Sequence, residues 1–121
     1  MRLFKNTWFN RFAKKEGITD ADLHEAVDRL EAGQADADLG GGVYKIRIAR
    51  SGEGKAGGYR VIVFFKSEER TFFVYGFAKS DKENIDRGDL RVLKNRSKNA
   101  FSLTEAQINS RLKDGTLVEV F

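Results

Sequence analysis

The sequence contains no cysteine and only one histidine in its 121 residues. Without cysteine the chain cannot form a disulfide or a thiolate nucleophile, and one histidine cannot supply a histidine-rich metal site. No apolar run approaches the roughly 20 residues that a membrane-spanning helix needs, and the first six residues lack the hydrophobic region of a signal peptide. These absences favour a cytoplasmic protein with no metal, no other cofactor and no membrane contact.

The composition is that of one folded domain. A chain of 121 residues has a common length for a single domain with one modest core, so we expect one domain over residues 1–121. Hydrophobic residues make up 40% of the chain and aromatic residues 12%, beside 33% charged residues. This balance is typical of a soluble globular protein and excludes a disordered one.

Charge is distributed unevenly along the chain, although the net charge is only +4. Residues 1–15 carry five bases and no acid, whereas residues 16–38 carry eight acids and one base. The acidic segment indicates the solvated surface of a helix, and His24 falls on the polar face of that helix. We therefore assign His24 no catalytic role.

The hydrophobic pattern predicts helices towards both ends of the chain and strands between them. Aromatic residues spaced four apart predict a helix over 6–16, and a second apolar stripe predicts a helix that starts near Thr19. Strand-like runs follow at 43–50, 58–66 and 70–79. Then come a helix from about residue 86 or 89 to 98, a last helix opened by the capping sequence 102–105, and a final strand or extended arm over 116–121.

These elements predict an α+β fold. The three strand-like runs would form an antiparallel meander, because residues 67–69 are polar and short enough for a hairpin, and the terminal strand would join it. The second and third runs are too apolar for simple alternation, which indicates a sheet covered by helices on much of one face. The helices at either end of the chain can provide that cover, and the N-terminal ones would pack against the sheet.

Cations alternate with apolar residues in the first two strand-like runs. In the first run, Tyr44 and Ile46 would point to one side of the sheet while Lys45 and Arg47 point to the other. Residues 44–60 include one acidic residue and five basic residues. The bases are Lys45, Arg47, Arg50, Lys55 and Arg60. Such an asymmetry suits a polyanion such as RNA, although cations that merely solvate an exposed face would give the same pattern.

Two further segments would contact RNA. The glycine-rich stretch 51–58 matches no nucleotide-binding loop, because a strand follows it and not a helix, but its Lys55 would reach a phosphate. The helix after the strands carries Arg87, Arg91, Lys94 and Lys98 on one face. This basic stripe either contacts RNA or is simply solvated.

RNA cleavage would give these residues distinct roles. Attack of a 2′-hydroxyl on the adjacent phosphate needs a proton acceptor, stabilisation of the phosphorane charge and a proton donor for the leaving oxygen, but no metal. Arg47 and Arg60 keep their charge and suit phosphate clamping. Lys45 or Lys79 would act as base or acid, because neighbouring positive charges favour the neutral form of a lysine.

Residues 44–48, 57–62 and 72–85 together resemble the RelE/HigB/ParE superfamily of bacterial type II toxins, and most closely its HigB-like RelE branch. The resemblance covers nearly the whole chain. It implies a small sheet packed by N-terminal helices, and a metal-independent endoribonuclease, or mRNA interferase, that cuts mRNA in the ribosomal A site. It also implies a cognate antitoxin, usually a DNA-binding protein.

The resemblance also assigns site residues. The Lys-x-Lys pair of RelE-type strands corresponds here to Lys45 and Arg47, and the arginine after Gly-Tyr corresponds to Arg60. The basic residue at the end of the last meander strand corresponds to Lys79. With these four residues as the catalytic set, the remaining predicted RNA contacts are Arg50, Lys55, Tyr59, Arg87, Arg91 and Lys94.

Two positions depart from the family pattern. Ser80 stands where RelE-type members have an arginine, and Asp86 stands where they have a tyrosine that stacks on substrate. Base stacking would then need Tyr59, Tyr75 or Phe77, and the sequence does not choose among them.

Two other functions stay open at this point. One is inhibition of DNA gyrase, as in the ParE branch, although that branch tends to lack the basic set kept here. The other is an RNA- or ribosome-binding module without cleavage, which the departures at Ser80 and Asp86 allow. An acidic antitoxin segment would bind the same cations by the same electrostatics.

Overall fold

The computed structural model describes residues 1–50, 54–78 and 87–121, without the side chains of residues 50 and 54–56. Within these ranges it has six strands and four helices, which confirms the α+β class. In chain order they are β1 (Arg2–Asn6), α1 (Thr7–Glu16), α2 (Asp20–Glu31), β2 (Ala37–Gly40), β3 (Val43–Arg50), β4 (Gly54–Phe65), β5 (Arg70–Ala78), α3 (Arg87–Phe101), α4 (Glu105–Asp114) and β6 (Leu117–Val120).

All six strands belong to one mixed sheet with the order β2-β3-β4-β5-β1-β6. The predicted antiparallel meander is β3-β4-β5. The sheet differs from the prediction in two added strands, β1 and β2, and in one parallel pair, β1 with β5. Strands of five and four residues are too short to display a clear period of two, so the sequence pattern did not reveal them.

Capping side chains define where the helices begin. Asn6 caps α1 by accepting a hydrogen bond from the backbone N–H of Phe9 at 2.8 Å, so the helix begins at Thr7, one residue after the predicted start. Thr19 opens α2 with a complete capping box, as predicted. The last helix was predicted to open at residues 102–105, but its capping box is formed two residues later by Thr104 and Gln107.

Helices cover both faces of the sheet. On one face, which we call the α1–α2 face, the N-terminal helices pack as predicted over Ile46, Ile48, Val61, Val63 and Phe73. On the other, the α3–α4 face, the C-terminal helices pack over Phe4, Val43, Phe64 and Phe72. None of the helices in the described ranges is long and apolar enough to cross a membrane.

The turn between β2 and β3 depends on glycine and supports α3. Gly40, Gly41 and Gly42 have φ angles of 86°, 61° and 78°, in the left-handed region that glycine adopts at little cost. A Cβ built on Gly42 would lie 3.1 Å from Oγ of Ser97 on α3. The turn therefore needs glycine for its backbone conformation and also for the close approach of the helix.

Candidate nucleic-acid interface

The register of the meander brings two predicted arginines together. Arg47 on β3 lies directly opposite Arg60 on β4. Directly opposed residues of an antiparallel pair have Cβ atoms about 4.5–5.5 Å apart and project to the same face. Lys45 is two residues from Arg47 and therefore shares that face, whereas Ile46 is buried in the core under α1 and α2. The three cations thus form one cluster on the α3–α4 face.

Arg47 is oriented by a carboxylate. Its Nε atom lies 2.9 Å from Oδ1 of Asp36, and its backbone N–H donates a 2.6 Å hydrogen bond to Oδ2 of the same side chain. The carbonyl oxygen of Arg47 accepts a 2.6 Å hydrogen bond from Arg29. The side chain of Arg47 is still 41% exposed, so its guanidinium keeps room for a second anion.

Arg60 is half-buried, and its Nη1 donates a 3.3 Å hydrogen bond to the carbonyl oxygen of Gly58. Like charges placed directly opposite each other destabilise a sheet, so the juxtaposition of Arg47 and Arg60 opposes folding. Asp36 offsets part of that repulsion. An anion bound between the two guanidinium groups would offset it further, which is the arrangement expected of a phosphate clamp.

Tyr59, predicted to contact RNA, does not share the face of the cations. It precedes Arg60 on β4 and therefore projects to the α1–α2 face, where it is only 3% exposed. Its hydroxyl donates a 3.0 Å hydrogen bond to Oε2 of Glu16. This placement removes Tyr59 from the set of substrate contacts and assigns it to the core.

The predicted basic stripe of α3 extends from the start of the helix to the glycine turn between β2 and β3. Arg87 and Arg91 are exposed on the first turns of α3. Lys94 lies over the glycine turn, with Nζ 3.2 Å from a Cβ built on Gly40. The predicted contacts Arg50 and Lys55 have side chains outside the described part of the chain, and the predicted catalytic Lys79 lies outside it altogether.

Two residues near the cluster were not found from the sequence. Asp36 is separated from Arg47 by a hairpin whose register the sequence does not reveal. Trp8 belongs to the aromatic stripe of the predicted N-terminal helix, yet it is 43% exposed, and its ring packs at a tilt against Tyr75 with 4.6 Å between ring centroids. The signal available for Trp8 was its position in a segment with five bases and no acid.

The fold and the site define a small α+β protein with a cationic sheet face suited to a polyanion. The described residues contain no group of three or more histidine, aspartate or glutamate side chains that could hold a metal ion. The family model for the RelE toxin of the RelE / RelB toxin-antitoxin system matches residues 1–120. The chain belongs to this family and is therefore a toxin of a toxin-antitoxin system, and membership implies an antitoxin as partner. The match is to the family as a whole, so the HigB-like branch stays a prediction.

Proposed function

We propose that this toxin is a ribosome-dependent mRNA endonuclease that acts in the cytoplasm, where mRNA is translated, and needs no metal. The observation that carries the proposal is the direct opposition of Arg47 and Arg60, with Lys45 on the same sheet face. Two guanidinium groups at this spacing can hold the oxygens of one phosphate and neutralise the charge that develops on it. Membership in the RelE family supports the same activity.

In the proposed reaction, the 2′-oxygen of a nucleotide forms a bond to the adjacent phosphorus while the bond from phosphorus to the 5′-oxygen breaks. The products are a 2′,3′-cyclic phosphate and a 5′-hydroxyl. Arg47 and Arg60 hold the phosphate. One of the two lysines, Lys45 or Lys79, accepts the proton of the 2′-hydroxyl, and the other donates a proton to the leaving 5′-oxygen. No side chain here forms a covalent intermediate.

In this proposal the ribosome holds the mRNA in the geometry that cleavage requires. In-line attack requires the 2′-oxygen, the phosphorus and the leaving oxygen to be aligned, and a structured binding site for the mRNA provides that alignment. The exposed bases Arg87 and Arg91, together with Lys94, Arg50 and Lys55, would hold the surrounding RNA backbone. Contacts with the RNA backbone do not depend on base sequence. They would therefore position the toxin on the RNA without selecting the base at the cleavage site.

The test is expression of the toxin without its antitoxin, followed by mapping of new mRNA 5′ ends by primer extension. Wild type is compared with Arg60→Ala and with Arg11→Ala, which removes an exposed arginine from α1, away from the cluster. We expect cuts inside translated frames for wild type and Arg11→Ala. Cuts and growth arrest should disappear together for Arg60→Ala.

Other outcomes would overturn the proposal. Growth arrest with intact mRNA and double-strand DNA breaks would indicate gyrase inhibition. Growth arrest with neither lesion would indicate binding to the ribosome or to RNA without cleavage. Circular dichroism and thermal unfolding of the purified Arg60→Ala protein must match those of wild type for the comparison to count.

A further inference from the structure

We propose that Lys66, Lys94 and Lys98 form a second anion site, separate from the phosphate clamp, which binds several phosphate groups carried on one chain. We call this site the lysine pocket. Two ligands share that chemistry, a stretch of RNA backbone and a free oligophosphate, and the experiment below distinguishes them. The inference goes beyond the proposed function, because it does not depend on cleavage of mRNA.

The lysine pocket lies between α3, the glycine turn and the end of β4, and has a volume of about 560 Å³. The three lysines line it together with Gly41 and Gly42 of the turn. Asn95, Ser102 and the ring of Phe101 complete the lining that the described residues provide. No acidic side chain from the described part of the chain lines the pocket, so its charge is of one sign.

The three lysines have no counter-ion among the residues that the structure describes. None of them lies within 4.0 Å of a described carboxylate, whereas Arg2 and Arg47 each pair with an acid. Lys94 and Lys98 are four residues apart on α3, and like charges at this spacing destabilise a helix. An anion bound in the pocket would offset this repulsion.

The glycine turn and an aromatic ring hold two of the lysines in place. Lys94 lies across the turn, with Nζ 3.2 Å from a Cβ built on Gly40 and Cγ 3.2 Å from a Cβ built on Gly41. A side chain at either glycine would push Lys94 out of this position. Nζ of Lys66 lies 5.0 Å from the centroid of the Phe101 ring, within the range of a cation–π contact. Lysines held in this way lose less conformational entropy when an anion binds.

The lysine pocket is too far from the phosphate clamp to share one phosphate with it. Gly42 precedes Arg47 by five residues, and Lys66 follows Arg60 by six. At about 3.3 Å for each residue of a strand, these separations are about 16 and 20 Å. The pocket therefore lies towards the opposite end of β3 and β4 from the clamp. Substitutions in the pocket leave the clamp residues in place.

The chemistry of the pocket favours phosphate as the ligand. A lysine ammonium is a compact charge with three N–H donors, and it binds phosphate as a point charge. Three of them around one pocket suit a ligand with several negative charges and many acceptor oxygens. Phosphates on one chain supply both. An acidic peptide supplies fewer oxygens for each charge, so we treat it as an outcome of the test.

NMR of the purified, isotope-labelled toxin locates the ligand. Inorganic tripolyphosphate represents a free oligophosphate. A 2′-O-methyl RNA octanucleotide represents the RNA backbone and cannot be cleaved by attack of a 2′-hydroxyl. We expect tripolyphosphate to shift the backbone amide signals of Gly41, Gly42 and Ser102 saturably. These signals report on the pocket separately from those of Arg47 and Arg60, where any anion held by the clamp would register.

A double variant, Lys66→Gln with Lys98→Gln, removes two charges and keeps most of each side-chain stem. We expect tripolyphosphate to bind the pocket of this variant about tenfold more weakly, or worse, because contacts with charged groups are lost. Lys14→Gln with Lys15→Gln is the matched control, since it removes two exposed lysines from α1. The control should bind within about twofold of wild type. Arginine at positions 66 and 98 keeps both charges and should retain binding.

The RNA arm identifies the source of the phosphates. If the octanucleotide shifts the pocket signals, the double variant should bind it more weakly. The salt dependence of that binding should then be shallower by about 1.4 in slope, for two phosphate contacts. In that case the pocket takes RNA backbone. If tripolyphosphate shifts the pocket signals and the octanucleotide does not, the pocket takes a free oligophosphate.

Three results would overturn the inference. One is the absence of saturable shifts at the pocket with either phosphate ligand. Another is an equal loss of binding in the double variant and in its matched control, which would show that only net charge matters. The third is tighter binding of a hexaglutamate peptide than of tripolyphosphate at the same signals. The wild-type shifts decide the question alone if the double variant unfolds, and absence of mRNA cuts in cells would overturn the proposed function only.

Discussion

Asp36 and Arg47 form an ion pair with 2.9 Å between Oδ1 and Nε, and the same carboxylate accepts the backbone N–H of Arg47. The toxin therefore supplies its own counter-ion to one member of the arginine pair that we propose binds phosphate. A phosphate that approaches Arg47 must share the guanidinium with this carboxylate. Asp36 would orient Arg47 and at the same time limit its attraction for RNA.

Asp36→Asn is expected to strengthen binding of RNA. The amide oxygen of asparagine can still accept the backbone N–H, but the negative charge beside Arg47 is gone. We expect affinity for single-stranded RNA to rise several-fold, and the salt dependence of binding to steepen by up to about one phosphate contact. Filter binding over a range of salt concentrations measures both quantities.

Asp38→Asn is the matched control, because it removes an acid from β2 whose hydrogen bond runs to the backbone of Gly40 and not to an arginine. It should alter RNA affinity less than Asp36→Asn does. Equal effects of the two substitutions would show that only the overall charge matters. Weaker binding by Asp36→Asn would show that orientation of Arg47 outweighs competition.

Stability should fall in acid because of the pairing between Arg2 and Glu119. Two hydrogen bonds from the guanidinium, at 2.8 and 2.7 Å, hold the pKa of Glu119 below its ordinary value of 4.5. Because the folded state holds its proton less tightly than the unfolded state, this stabilisation is present above about pH 4.5. It is lost as the pH falls through the lowered pKa of the folded state.

We therefore expect Glu119→Gln to unfold more easily than wild type at pH 7, by about 1 kcal/mol, and to approach wild type as the medium is made acidic. Urea unfolding at several pH values from 7 to 3 measures the difference. Glu68→Gln is the control, because it alters an exposed acid in the turn between β4 and β5. Its free energy of unfolding should stay close to that of wild type at every pH. A constant deficit for Glu119→Gln at every pH would contradict the ionic origin.

Gly42→Ala should destabilise the protein more than Gly33→Ala does. Both glycines have left-handed φ angles, 78° and 73°, so both substitutions carry the backbone cost of about 1–2 kcal/mol. Only at Gly42 would the added Cβ also meet other atoms, Oγ of Ser97 at 3.1 Å and the ring of Phe101 at 3.3 Å. Overpacking of this kind adds about 1–3 kcal/mol.

Denaturant unfolding of the two alanine variants measures the difference between them. Ser97→Ala in the Gly42→Ala background should recover part of the loss. The Ser97 hydroxyl is buried and has no hydrogen-bond partner in the described part of the chain, so its removal leaves no donor or acceptor unsatisfied. Equal losses for Gly42→Ala and Gly33→Ala would mean that α3 shifts away from the turn without cost.

Local periodicity predicted which side chains within a single strand share a face of the sheet. Alternation with period two places Lys45 and Arg47 on one face and the neighbouring isoleucines on the other, as the structure has them. The same rule places Tyr59 on the other face of the sheet from Arg60, because the two residues are neighbours on one strand. The prediction that both contact RNA was inconsistent with this alternation. The hydrophobic pattern predicted the α+β class, and the family resemblance added the correspondence of Lys45, Arg47, Arg60 and Lys79 to the catalytic set.

Features that depend on pairing between distant strands could not be predicted. The contact between Asp36 and Arg47 requires the register of the β2-β3 hairpin, and that register shifts within the hairpin. The parallel pairing of β1 with β5 joins residues about seventy positions apart, and no local pattern encodes it. The exposure of Trp8 follows from where α1 lies on the sheet, whereas helical spacing shows only that Trp8 shares a stripe with other aromatic residues.

β1 lies between β5 and β6 in the finished sheet, although it is the first strand to be synthesised and β6 is the last of the six. The two neighbours of Phe4, Phe72 on one side and Glu119 on the other, both come from much later in the chain. During translation, β1 can therefore pair with β5 only after residues 70–73 have been made, and with β6 only after residues 117–120 have been made. The sheet thus closes around its N-terminal strand at the end of synthesis, and the centre of its β5-β1-β6 half depends on the last residues to be added.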